Sequence, residues 1–430
     1  MVATQGRSCS WVIPVILLLV ALEGATLWMD RYGGANKELL CGEDVDKISV
    51  VQGAYIHHSD ARPSSNKQKA SALRKANATK IPFSWIESNI EPLPTVFEGV
   101  HARPFSYDNR NQSLPCFPPE ENWRSPLVQN TPTDTGFIFV KPYKTGSSTS
   151  SGINLRVARN VAQRLGHDDY EICHSRFDHA VASEKYARRR AACSFMWTVI
   201  RSPQQRIISQ FFHFQVSRKK IEPTDENFIN YIKAGRYDVW DYYLYTLSTQ
   251  PYKRGESDTV AAANGILQDY DFIGITERMD ESVVVLSMLL DLSLADVLYL
   301  KAKGKGGYDD AGGRGAKVCT YIWPSFVSQG MQAFFETKEW KDIIHWDSVV
   351  YQAANRSLDL TIDKLGRAEF EKKLAKYEYA KEMTQERCLP RTVWPCSPGG
   401  TYSEQTDCLW NDSGCSNECM DEVATELDLW

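Results

Sequence analysis

The sequence has few features of a polytopic membrane protein or of a nucleic-acid-binding protein. A long apolar run occurs once, between Trp11 and Met29, and Pro14 and Glu23 interrupt it. The 49 basic residues are outnumbered by 54 acidic ones, which gives a net charge of −5. Because no overall positive field attracts a polyanion, we expect no nucleic-acid partner. Any anionic ligand must be held by a local site.

The cysteines lack the spacing of a zinc site. The chain has 11 cysteines, of which ten follow the apolar run. Five crowd the C-terminal region without paired CxxC units or a nearby histidine: Cys388, Cys396, Cys408, Cys415 and Cys419. The even total of ten, with five of them close together, predicts disulfides in an oxidising compartment, with the pairing left open.

The apolar run suits a signal anchor as well as a signal peptide. The part before the charged Glu23, Trp11 to Leu22, has 12 residues. An uncleaved anchor is favoured, since Leu22 and Glu23 fit poorly before a cleavage site at Gly24 and Ala25. Either reading puts the rest of the chain on the lumenal or extracellular side. Four glycosylation sequons agree with that side: those of Asn77, Asn111, Asn355 and Asn411.

The composition predicts four regions. Residues 1–30 form a short cytosolic tail with the signal anchor or signal peptide, and residues 31–130, rich in Ser, Asn, Pro and Lys, form a stem. Residues 131–385 form a catalytic domain, and residues 386–430 a Cys-rich tail. Within the domain, apolar runs at 137–140, 195–200 and 272–275 are each followed by a helical pattern. This alternation predicts an α/β fold with a mainly parallel sheet.

The first strand leads into a loop that is rich in donors for an anion. The loop consists of Lys144, Thr145, Gly146, Ser147, Ser148 and Thr149, and a helix follows it. Amides at a helix start, hydroxyls and one ammonium together form a phosphate cradle. The spacing differs from GxxxxGK[ST], because Lys144 precedes the glycine. For this loop alone, a Ser/Thr-rich turn with a solvated lysine remains an alternative.

The second βα unit adds another anion ligand. Arg201 stands at the end of the second strand, and Pro203 suits the first position of the next helix. Ser209 follows on that helix and can supply a further donor beside the bidentate guanidinium. Two such sites on two strand ends predict a ligand with two separated anionic groups.

These motifs resemble those of the membrane-bound carbohydrate sulfotransferases. Residues 144–149 are similar to their 5′-phosphosulfate loop, and residues 199–212 to their 3′-phosphate motif. Residues 172–177 resemble the His-x-Arg-Phe segment of the galactose 3-O-sulfotransferases, the galactosylceramide sulfotransferase group. Residues 277–282 and 296–301 also fit that group. The resemblance covers about residues 135–300.

The resemblance implies a P-loop-like three-layer fold and sulfuryl transfer from 3′-phosphoadenylyl sulfate (PAPS), without a metal, to galactose 3-OH of a glycolipid or glycan. Lys144 would stabilise the leaving phosphate while residues 145–149 hold the 5′ end. Arg201 and Ser209 would hold the 3′-phosphate. His174 would be the general base, a role that suits a histidine. Arg176 would position the sugar or a sulfate oxygen, with a structural ion pair as the alternative.

The family also implies a single-pass type II protein of the Golgi membrane with a lumenal catalytic domain, or a secreted protein if the signal is cleaved. One alternative is a lumenal glycosyltransferase, whose Asp-x-Asp metal motif would be Asp44-Val45-Asp46 or Asp269-Tyr270-Asp271. Another is a glycan-binding membrane protein without catalysis.

Overall fold

The computed structural model describes residues 94–107, 136–166, 174–179, 181–187, 189, 191, 194–301, 306–310 and 317–430. The strands are β1 Val96–Phe97, β2 Val100–His101, β3 Gly136–Lys141, β4 His174–Asp178, β5 Ser194–Ile200, β6 Phe272–Ile275, β7 Gly307–Asp310, β8 Cys319–Ile322, β9 Cys408–Trp410 and β10 Ser413–Cys415. The α-helices are α1 Ser147–Arg164, α2 Ala182–Lys185, α3 Pro203–Gln210, α4 Asp225–Lys233, α5 Tyr242–Leu247, α6 Thr259–Asp269, α7 Met279–Leu289, α8 Gln329–Phe335, α9 Lys338–Ile343, α10 His345–Leu365, α11 Arg367–Cys388 and α12 Asn417–Glu426. A π-helix, Phe211–Arg218, continues α3.

The centre of the fold is a parallel sheet of four strands in the order β4-β3-β5-β6. The strands predicted at 137–140, 195–200 and 272–275 are confirmed as β3, β5 and β6. Each is followed by a helix, as the alternation predicted, and Pro203 is the first residue of α3. The protein is therefore a mixed α/β structure whose parallel sheet is flanked by helices.

The strands are continuous apolar runs because both faces of the sheet are covered. All residues of β3 and β5 are buried. The rings of Phe139 and Trp197 are 4.7 Å apart on the paired strands. The indole Nε1 of Trp197 donates to Oδ1 of Asn154 in α1 at 2.9 Å. This bond gives the buried N–H of the indole its hydrogen-bond partner.

The strand order creates a crevice at one edge of the sheet. The chain runs from β3 to β4 on one side and then returns to β5 on the other side of β3. All four strands are parallel, so their carboxyl ends share one edge. In such sheets, ligands bind outside the carboxyl ends where the strand order reverses. Here that point lies between β3 and β5.

Part of the region predicted as a stem packs on the core. Phe105 is 1% exposed and contacts Phe272, with ring centroids 5.7 Å apart. Its amide donates to Oγ1 of Thr361 in α10 at 2.8 Å. The predicted signal anchor, residues 1–30, and most of the 31–130 region lie outside the described residues. Across the residues that the structure describes, no helix combines the length and apolarity needed to cross a membrane.

Disulfides join the C-terminal region to the domain. The described pairs are Cys319–Cys396, Cys388–Cys419 and Cys408–Cys415, which confirms the predicted disulfides and supplies the pairing that the sequence left open. The hairpin β9–β10 packs against α1. A Cβ on Gly152 of α1 would lie only 2.5 Å from the amide nitrogen of Gly414. The predicted Cys-rich tail is thus packed directly on the helix that follows the Lys144 loop.

Candidate functional site

The Lys144 loop (residues 144–149) connects β3 to α1 at the crevice. The backbones of Lys144 and Gly146 are left-handed, with φ of 61° and 76°. Gly146 is the N-cap residue of α1 and makes no side-chain cap hydrogen bond at this helix start. A Cβ on Gly146 would lie 3.2 Å from Cε of Met279. The amides of the first helical turn therefore face a tight backbone cradle of the kind that accommodates an anion.

Arg201 brings the second motif to the first. It follows β5, and its guanidinium NH1 donates to the backbone carbonyl of Lys144 at 3.4 Å. Its side chain is 28% exposed, and its Nε is 4.0 Å from Oε1 of Glu277. Burial lowers the pKa of Arg201 from its ordinary value, and the charge of Glu277 opposes this shift. The side chain remains a cation at neutral pH.

The end of β6 ties the two loops together. The Thr276 hydroxyl lies 2.7 Å from the carbonyl oxygen of Thr145 and 3.0 Å from that of Ile200. Oε1 of Glu277 accepts a bond of 3.0 Å from the amide of Ser202. The carboxyl ends of β3, β5 and β6 are therefore hydrogen-bonded to one another at the crevice.

Two tyrosines of α5 form hydrogen bonds to the backbone that leads into the Lys144 loop and to the backbone of Arg201. The Tyr242 hydroxyl accepts a bond from the amide of Tyr143, which precedes Lys144. The Tyr243 hydroxyl accepts from the amide of Arg201 at 2.9 Å and donates to the carbonyl of the same residue. These contacts hold the backbone on both sides of the crevice. The sequence analysis missed them, since a Tyr-Tyr pair carries no spacing signal.

A buried ion pair lies behind these tyrosines. The Arg206 guanidinium is 3.9 Å from the centre of the Tyr242 ring and 3.7 Å from Oδ2 of Asp347. Oδ1 of Asp347 accepts from the amide of Tyr243 at 2.8 Å. Desolvation raises the pKa of Asp347 to about 7, and the charge of Arg206 acts in the opposite direction. The network connects α3, α5 and α10 beneath the site.

Ser209 lies near the carboxyl end of α3 and is partly exposed. Arg201 precedes the same helix. With 1.5 Å of rise per residue, the six steps from Pro203 to Ser209 span about 9 Å of helix axis. The two predicted 3′-phosphate ligands are therefore at opposite ends of α3.

The structure does not bring His174 and Arg176 to the Lys144 loop. His174 is the first residue of β4 and pairs with Phe137, while Arg176 pairs with Phe139 in the middle of the sheet. Because a parallel strand rises about 3.3 Å per residue, Phe137 is about 13 Å before Lys141, where β3 ends. His174 thus lies at the amino edge of the sheet, opposite the crevice.

A different histidine lies at the carboxyl edge. His179 directly follows β4, whose last residue pairs with Lys141. Its Nδ1 is 3.1 Å from the carbonyl oxygen of Lys141, and its ring stacks on Tyr143 with centroids 3.6 Å apart. The sequence analysis favoured His174 from its motif. The position of His179 directly after a strand of the sheet was a signal in the sequence that could have identified it.

The carboxylates of the Asp269-Tyr270-Asp271 motif are engaged within the protein. Oδ2 of Asp271 accepts bonds from Arg189 at 2.6 Å and from the amide of Met196 at 2.7 Å. Asp269 accepts from the Thr249 hydroxyl. These residues precede β6, at the amino edge of the sheet, so they do not form a metal site at the crevice. The Asp44 motif lies outside the described residues.

A small group with metal-ligand chemistry occurs elsewhere in the described part of the chain. It consists of Asp407, Cys408 and Cys415. Because the two cysteines form a disulfide, they offer no thiolate to an ion.

Comparisons with known proteins identify no relative: no family model, no curated protein and no solved structure matches the chain. The functional argument therefore depends on the residues and the geometry of the crevice.

Proposed function

We propose that the chain is a sulfotransferase that moves a sulfuryl group from 3′-phosphoadenylyl sulfate to a hydroxyl of a carbohydrate acceptor. The acceptor that we favour is the galactose 3-hydroxyl of a galactosylceramide-like glycolipid or of a glycan. One observation carries the proposal: the Arg201 guanidinium donates to the Lys144 carbonyl at the point where the strand order reverses. This contact supports a single site built from the two predicted anion-binding motifs.

The chemistry of the crevice fits a donor with two separated anionic groups. The hydroxyls and amides of Thr145, Ser147, Ser148 and Thr149, together with Gly146, would hold the 5′-phosphosulfate. Gly146 has a left-handed backbone, with φ of 76°, which glycine adopts without strain where the backbone approaches a ligand. Arg201 and Ser209 would hold the 3′-phosphate, with the guanidinium supplying a bidentate contact.

The protein would accelerate transfer mainly by positioning and charge stabilisation. Sulfuryl transfer, like phosphoryl transfer, has a loose in-line transition state. Negative charge develops on the bridging oxygen as the bond to sulfur breaks. The Lys144 ammonium would stabilise that charge, which is the largest contribution expected from a single side chain here.

The proposal includes a P-loop-like three-layer sulfotransferase fold for the catalytic domain and a lumenal location behind an N-terminal anchor in the Golgi membrane. The mixed α/β sheet with its flanking helices is compatible with that fold. The disulfides support an oxidising compartment.

Thermal melting of the purified full-length protein tests the proposal. One sample contains adenosine 3′,5′-bisphosphate, and another contains uridine diphosphate with manganese. A ligand at 100 times its dissociation constant adds about 2.7 kcal/mol to the unfolding free energy. A rise in Tm with the bisphosphate alone is the expected result. A rise with the uridine nucleotide alone would overturn the proposal in favour of a glycosyltransferase.

A further inference from the structure

The imidazole of His179 stands at the edge of the crevice that the acceptor hydroxyl must approach. It follows Asp178, the last residue of β4, which pairs with Lys141 at the end of β3. The ring stacks on Tyr143, the residue before Lys144, with an interplanar angle of 14°. The Tyr143 ring therefore connects His179 to the start of the Lys144 loop.

The contact with Lys141 sets the tautomer of this histidine. Its Nδ1 lies 3.1 Å from the Lys141 carbonyl oxygen. A carbonyl can only accept a hydrogen bond, so Nδ1 carries the hydrogen. In the neutral imidazole, Nε2 then bears the lone pair and is the atom that can take a proton.

The ring is also fixed in orientation. The backbone N–H of Tyr143 donates a hydrogen bond to the Tyr242 hydroxyl. The Tyr143 ring also packs edge-on against the Phe214 ring, with centroids 5.4 Å apart. His179 has a left-handed backbone with φ of 59°. For a residue other than glycine this conformation costs roughly 1 kcal/mol and is found disproportionately at functional sites.

The other described histidines near the site have different partners. His213 is 6% exposed, and its Nε2 is 3.8 Å from Oδ2 of Asp309. His345 lies 2.9 Å from Oε2 of Glu98, away from the strand ends. His174 is at the opposite edge of the sheet. Among these residues, His179 is the one that combines a fixed tautomer with a position beside the Lys144 loop.

We propose that His179, rather than His174, is the general base of sulfuryl transfer; this inference rests on the proposed function. The acceptor oxygen forms a bond to sulfur while the bond from sulfur to the bridging phosphate oxygen breaks. The hydroxyl proton passes to Nε2 of His179 and then to solvent. The bridging oxygen keeps the electron pair and leaves as adenosine 3′,5′-bisphosphate, with its charge beside Lys144.

Matched substitutions of the two histidines test the assignment in the full-length protein. His179→Gln should lower kcat for transfer from 3′-phosphoadenylyl sulfate to galactosylceramide in detergent micelles by about 10²-fold or more. The bisphosphate-induced rise in Tm should be unchanged. His174→Gln should keep kcat within about threefold of wild type. The assignment is overturned if His174→Gln loses transfer while His179→Gln retains it.

A second variant separates chemistry from folding. Glycine adopts the left-handed backbone of position 179 without strain, so His179→Gly should fold. Added imidazole should restore part of its transfer rate, and it should not accelerate Lys144→Ala. Absence of rescue, together with loss of the bisphosphate-induced shift, would assign His179 a structural role and overturn the inference. If the wild type shows neither the shift nor transfer, the proposed function itself fails, and the base with it.

Discussion

The Tyr243 hydroxyl holds Arg201 through both backbone groups of that residue. It accepts from the amide at 2.9 Å and donates to the carbonyl. A single buried side chain thereby fixes the turn between β5 and α3, on which the guanidinium depends for its direction. The contact involves the Arg201 backbone and not its guanidinium, so it can be removed without changing the side chains of the proposed anion site.

Replacing Tyr243 by phenylalanine should weaken donor binding. We expect Tyr243→Phe to raise the dissociation constant of adenosine 3′,5′-bisphosphate about tenfold and to lower the unfolding free energy by about 1 kcal/mol. Isothermal titration and chemical denaturation measure the two effects. Tyr270→Phe is the matched control, since that buried hydroxyl donates to Leu247 away from the crevice. Equal effects of both variants on affinity would contradict the role given to Tyr243.

Removing the Lys144 ammonium should affect turnover much more than binding. Lys144→Ala should lower kcat by about 10²-fold or more, because one charge-stabilising group commonly lowers the activation free energy by about 3 kcal/mol. Initial rates of sulfate transfer to galactosylceramide measure this loss. Lys253→Ala is the control, since its side chain is 72% exposed on the surface. A variant with normal kcat and raised KM would instead make Lys144 a residue of ground-state binding.

Position 146 requires glycine. Gly146→Ala should lower the unfolding free energy by about 1 to 2 kcal/mol, because φ is 76° and the new Cβ would press on Met279. Bisphosphate binding should fall with it. Gly265→Ala in α6 is the control: an added Cβ there meets no atom within 4 Å, and alanine favours a helix by about 1 kcal/mol. Denaturation curves for the pair should shift in opposite directions.

The buried Asp347 predicts a pH dependence of stability. Its pKa is raised to about 7 in the folded state, against about 3.9 in an unfolded chain. Between these values the folded state binds more protons, so this group lowers the unfolding free energy as pH rises from about 4 to about 7. At about 1.36 kcal/mol per pKa unit, the change should be on the order of 4 kcal/mol. Asp347→Asn should remove this slope, whereas the exposed Asp363→Asn should not. Parallel curves for wild type and Asp347→Asn would refute the assignment.

The sequence predicted the local parts of the structure well. Apolar runs located β3, β5 and β6, and Pro203 marked the first residue of α3. These signals come from neighbouring residues and the period of burial. The even cysteine count predicted disulfides, but the pairs join positions as far as 77 residues apart and depend on the fold.

The rest of the site depends on contacts that local patterns do not encode. A motif assigned His174 a role, yet the register of β4 decides which of its residues reaches the carboxyl edge. Tyr243 and Asp347 meet across 104 positions of sequence, so no spacing rule connects them. Phe105 likewise joins the core from a polar region of the chain, because its apolar ring fits beside Phe272.

The close packing of Gly152 on Gly414 means that the helix after the Lys144 loop is covered late in synthesis. The helix that starts at this loop is translated long before the hairpin that covers it. During elongation, the Gly152 face of α1 is therefore bare, and it is covered only after residues 408–415 have left the ribosome. The cover over this helix should consequently form only after these residues are made, in step with oxidation of Cys408 and Cys415. An arrested chain that ends before residue 400 should leave Gly152 without its cover and Arg156 without its ion-pair partner Asp421.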